Sequence, residues 1–129
     1  MVRAVNLSPE AKNKRAFSDL RNIKLAVEAY VADYGILPTT SNNTSDLENA
    51  LVNAKTRLID YIPNDPWDTS NKYRWQRTAS PDNYYVIYSV GSDGSSSINV
   101  TSTNGGTVNN GGTDDIWVSN CRNNNSQLP

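Results

Sequence analysis

The sequence predicts an α+β domain in which one long N-terminal amphipathic helix packs on a small C-terminal antiparallel sheet through an irregular connector. Three observations predict it. Residues 8–34 repeat apolar side chains at spacings of three and four, the period of one helix face. Residues 73–78 (YRWQRT) and 84–90 (YYVIYSV) are rich in aromatic and β-branched side chains and are separated by ASPDN, the composition of an antiparallel hairpin. Between the helix and this hairpin YIPNDPWD carries two prolines, which exclude regular helix and central strand there. Helix first and strands afterwards is an α+β order.

The helix is bounded by its own chemistry. Ser8 is placed to cap it, Pro9 suits its first position and Gly35 suits the residue just past its end. Ala16, Leu20, Ile23, Val27, Tyr30, Val31 and Tyr34 form the apolar stripe, with Lys12, Arg15, Asp19, Lys24 and Glu28 mainly off it. Lys12, Lys14 and Arg15 crowd the first turns while Asp33 sits near the end. That order opposes the helix macrodipole, at a few tenths of a kcal/mol per exposed charge. It costs nothing if the helix continues upstream; a solvated basic face is the plainer reading.

A weaker amphipathic stretch is expected from Asp46 to about Leu58, capped by Thr44 or Ser45, with Leu47, Leu51 and Ala54 inward. After the hairpin, residues 91–113 are dominated by Gly, Ser, Asn and Thr, with Ile98, Val100 and Val108 as the only apolar points. Asn104-Gly105 and Asn110-Gly111 are turn dipeptides. Residues 115–119 suit a last short strand, and 122–129 read as a frayed tail. The organisation is one domain over 1–129: helix about 9–34, connector 35–72, sheet and long loop 73–119, tail 120–129.

Composition narrows the function. Lys+Arg 12 against Asp+Glu 13 gives a net charge of -1, which argues against a sequence-independent grip on nucleic acid. The chain has no histidine, so Ser-His and Cys-His nucleophilic chemistry is excluded within it. The lone cysteine, Cys121, excludes an intramolecular disulfide and a multi-cysteine zinc site. Trp67, Trp75, Trp117 and seven tyrosines supply large surfaces to bury. No apolar run is long enough to span a bilayer. Trp67 is expected to pack under the sheet with Pro66 fixing a turn; Tyr73, Trp75 and Arg74, Arg77 read as the two faces of a strand.

The acidic residues of the long loop are the candidate site. Asp93 lies in GSDG and Asp114 and Asp115 in GGTDDIW. Taken singly, each is a turn residue. Together they flank one polar loop, the first directly after a predicted strand and the others directly before one. If those strands are near neighbours, Asp93 and Asp114 converge at the loop's neck. Converging carboxylates repel unless a cation or donors lie between them. Oxygen ligands without His or Cys select Ca²⁺ over zinc or copper. Such an ion would order a loop whose own apolar surface is small.

The ordered motifs AFSDLRNIKLAVEAYVADYGILP, YIPNDPW, YYVIYSVGSDG and GTDDIW resemble the type IV pilin-like superfamily, most closely the major pseudopilin of type II secretion systems. The resemblance implies a pilin-like fold and a filament subunit whose full-length form carries an apolar N-terminal helix, absent here, for anchoring in the inner membrane. It further implies a structural calcium site: a Val90 carbonyl, the Asp93 and Asp114 carboxylates, Asp115 as a further ligand or supporting partner, and oxygen from Ser92. Leu20, Ile23, Val27 and Tyr30 are the residues expected to pack the helix in the filament. Two departures stand out. The Ser95–Thr113 loop is longer than the family's, and Asp68 replaces the glycine usual after Asp-Pro-Trp.

The expected function is therefore non-enzymatic. Copies of the chain, with other pilins or pseudopilins and the inner-membrane secretion machinery, would form a periplasm-facing filament. The alternative is a minor type IV pilin or filament-tip adhesin that binds through the 95–113 loop.

Overall fold

Helix α1 runs from Pro9 to Tyr34, the span that the apolar spacing predicts. The Ser8 hydroxyl accepts from the Ala11 N–H at 3.2 Å, and Gly35, at φ 75°, closes the far end by donating to the Val31 carbonyl. The computed structural model describes residues 7–79, 82–92, 98–109 and 116–121; the expected frayed tail from 122 lies outside them.

Helix α2 covers Thr44–Val52, starting and ending earlier than predicted. Its cap is Asn43, whose side chain accepts from the Ser45 N–H at 2.8 Å. Just past its end the Lys55–Leu51 ladder bond is replaced on both sides. The Lys55 N–H donates to the Tyr34 hydroxyl at 2.9 Å, and the Leu51 carbonyl accepts from Leu58 instead.

The connector is more regular than predicted. β1 (Asn64–Asp65) and β2 (Asp68–Lys72) pair antiparallel around Pro66-Trp67. Pro66 occupies the turn, where its missing N–H is not needed. β3 (Arg74–Arg77) and β4 (Tyr85–Ser89) form the expected hairpin. Within the long polar stretch, β5 (Asn99–Thr101) and β6 (Thr107–Asn109) form a further hairpin closed by a 3-10 turn at Thr103–Gly105. Asn104 takes φ 53° and Gly105 φ 79° there, the positive values that favour an Asn-Gly turn. β7 (Ile116–Ser119) completes a three-stranded sheet of order β3-β4-β7. The element order and packing are α+β, consistent with a pilin-like fold.

Strand alternation splits the interior in two. On one face Trp75, Tyr85, Ile87, Ile116 and Val118 meet Ala16, Leu20, Ile23 and Val27 of α1 and Leu47 and Leu51 of α2. On the other, Val86, Tyr88 and Trp117 meet Ile98, Val108 and Cys121. The long loop's few apolar residues thus suffice to seat the β5–β6 hairpin on the back of the sheet, a role the sequence reading did not give them.

Polar ties cross the helix–sheet boundary. The Tyr73 hydroxyl donates to Asp19 at 2.7 Å and the Tyr85 hydroxyl to Glu28 at 2.6 Å. Burial first, and these carboxylates second, push both phenols far above their ordinary range. Arg77 fastens the connector, donating to the Thr39 carbonyl at 2.7 Å and to Asn83 at 3.0 Å.

Candidate functional site

β4 leaves the sheet at Ser89 and β7 begins at Ile116, and these two residues are register partners. The loop between them therefore starts and ends at one point of the sheet. This meets the condition set by the sequence, that the strands flanking the acidic residues be neighbours. Asp93, Asp114 and Asp115 themselves lie outside the described residues. Among the described residues, no group of three His, Cys, Asp or Glu side chains is placed to hold a metal. Val90 is described and is fully buried, one residue beyond the last ladder pair.

A carboxylate the sequence reading passed over sits at that point. Asp65 is 1% exposed. Its Oδ1 accepts from the Ser89 hydroxyl at 2.7 Å and from the Trp67 N–H at 2.9 Å. Its Oδ2 accepts from the Val90 N–H at 3.0 Å. The Gly91 N–H extends the chain of bonds by donating to the Ser89 hydroxyl at 3.2 Å. The Trp67 contact is an Asx-turn, the one part of this arrangement that Asp-Pro-Trp signals locally.

Trp67 connects the same point to the helix. Its indole N–H donates to Asn13 at 3.0 Å, and the Lys12 ammonium lies 4.8 Å from the ring centre. The ring thus lies beside α1 rather than in the expected place under the sheet, where Trp75 is buried instead. Lys12, one of the misplaced charges of the first turns, is spent on this contact, and Arg15 pairs with Asp19 at 3.7 Å.

The family model described as type II secretion system (T2SS), protein G, matches residues 3–107. The chain belongs to that family. The family is that of the major pseudopilin, a structural filament subunit rather than an enzyme class. No individual curated protein matches the chain.

In this pseudopilin the residues expected to pack α1 in a filament are placed as follows. Leu20, Ile23 and Val27 are fully buried against its own sheet, and Tyr30 is half-buried with its ring stacked on Tyr34 at 4.1 Å. Their area is already used in holding helix to sheet. The opposite side of α1 carries a shallow groove lined by Lys14, Phe17, Ser18, Arg21, Asn22 and Leu25, with Leu25 68% exposed. No helix among the described residues is long and apolar enough to cross a membrane.

Proposed function

We propose that the chain is a subunit of the type II secretion pseudopilus and that a calcium ion clasps the neck of its C-terminal loop. Copies stack through α1, alongside other pseudopilins and the inner-membrane machinery, and the sheet faces outward into the periplasm. Val90 supplies a carbonyl and Asp93 and Asp114 supply carboxylates. Asp115 is a further ligand, and Ser92 adds an oxygen.

The observation that supports the calcium reading is the Ser89–Ile116 pairing. Asp93 stands four residues beyond one partner and Asp114 two residues before the other, so short lengths of chain tether both carboxylates to the same place. Like charges tethered together need a cation between them, and an all-oxygen set suits Ca²⁺.

Melting the protein in EDTA and in millimolar calcium tests the reading. Calcium at about 100 times its Kd stabilises by about 2.7 kcal/mol, and Asp93→Asn abolishes the gain. Equal midpoints in the two buffers overturn the calcium site. Failure of the chain to enter a pseudopilus, together with specific glycan binding, would favour the filament-tip adhesin instead.

A further inference from the structure

We propose that Asp65 is a positioning residue for the loop neck: it fixes where β4 ends and thereby sets the place from which Val90 meets the calcium ion. The calcium part of this rests on the reading given above; the positioning of the strand end stands without it. Asp65 is buried, yet none of the described ion pairs includes it. A buried carboxylate is tolerated only where its lone pairs are met by donors, and here three donors meet it, one local at Trp67 and two from the distant strand end at Ser89 and Val90.

The geometry of those donors shows what the carboxylate accomplishes. Up to Ser89 the strand is held by ladder bonds to β7. At the next residue the N–H turns to Asp65 Oδ2. The side chain of Ser89, the last ladder residue, bonds Asp65 Oδ1 and accepts from Gly91. One carboxylate therefore takes the place of a strand partner, pinning Ser89 and Val90 directly and Gly91 through the Ser89 hydroxyl as the chain leaves the sheet. Because Asp65 also closes the Asx-turn that carries Trp67, and Trp67 bonds Asn13, the neck is tied to the first turns of α1.

Asp65→Asn tests this specifically. An amide keeps one oxygen for the Oδ1 donors but presents N–H groups where Oδ2 stood, donor against donor for Val90. Loss of a bond to a charged partner predicts amide exchange at Val90 and Gly91 faster by about tenfold or more, with Ile87 in mid-strand unchanged. Calcium affinity, read by calorimetry with calcium chloride, weakens by a similar factor. Ser89→Ala, which removes one arm, gives the same pattern more weakly and serves if Asp65→Asn does not fold. A merely structural role lowers the melting point in EDTA but moves neither the calcium Kd nor exchange at Val90 relative to Ile87, and that result overturns the proposal. If the parent protein takes up no calcium, the calcium reading falls, and exchange at Val90 and Gly91 alone decides the positioning role.

Discussion

The two faces of the central strand β4 are buried equally well but by different kinds of chain. Toward the helices, Tyr85 and Ile87 lie under a long amphipathic helix whose stripe is apolar over many turns. Toward the back, Val86 and Tyr88 lie under a hairpin with three-residue strands, Ile98 and Val108 being its buried contribution and Val100 a partly buried one. The helix-side core joins elements remote in sequence and carries most of the buried volume. The hairpin-side core closes a segment that begins and ends at the loop neck. Similar burial on the two faces thus conceals unequal commitments: one core holds the fold, and the other seats the loop.

The largest expected effect tests that inequality. Trp75 is nearly fully buried, stacks on Tyr85 with ring centres 5.2 Å apart and donates its indole N–H to the Ser41 carbonyl at 2.9 Å. Trp75→Ala should cost about 3–5 kcal/mol of global stability, measured by urea unfolding. Val108→Ala in the hairpin-side core should cost about 1–2 kcal/mol, the transfer term for the lost methyl groups. Much of that cost should appear as faster amide exchange confined to β5 and β6. Equal losses of global stability from the two substitutions would break the comparison.

A second substitution sharpens it at the seam between hairpin and sheet. Gly106 has φ 97°, and a Cβ there would sit 2.5 Å from the Tyr84 ring. Tyr84 packs against the hairpin-side core. Gly106→Ala should therefore lift the hairpin from the sheet at a cost of about 1–3 kcal/mol. The thiol of Cys121 is buried in the same core, and burial pushes its pKa up. Its reaction with a thiol reagent in native buffer should accelerate in the variant and stay slow in the parent.

The unequal cores also explain what the sequence revealed. Helix α1 was legible from end to end because its cap, proline, stripe and closing glycine are all local signals that agree. β4 and β7 were legible because aromatic and β-branched residues concentrate there. β2 was not: DTSNK has no apolar alternation, and its pairing is imposed by the turn at Pro66. β5 and β6 offer one central valine each, too little for a period to show. The loop neck was half legible. The position of the aspartates on either side of the loop pointed to the neck and the family resemblance added Val90 as an expected ligand, while the Ser89–Ile116 pairing shows only that the flanking strands are neighbours. Asp65 escaped because two of its donors, Ser89 and Val90, lie 24 and 25 residues away, a relation that only the fold creates.

The smallest expected effect lies outside both cores and separates electrostatic from apolar stability. Glu48 on α2 accepts from the Ile62 N–H at 2.6 Å and pairs with Lys72 of β2. Burial alone would raise its pKa, but the bonds from Lys72 and Ile62 and the charge of Lys72 outweigh it and hold the carboxyl below its ordinary value. The unfolded chain therefore binds the proton more tightly than the folded one, so this stability is present above the ordinary glutamate pKa. It is lost as pH falls through the depressed folded value. Because Lys72 is more than a third exposed, solvent screening limits the contribution to about 1 kcal/mol or less. Glu48→Gln should lower stability at neutral pH by about that amount and flatten its decline between neutral and acidic pH, measured by urea titration at several pH values. Neither Trp75→Ala nor Val108→Ala should change that slope, since neither alters a charge near Glu48. A slope that follows the core substitutions instead would mean that the β1–β2 hairpin is held by the helix-side core and not by its ion pair.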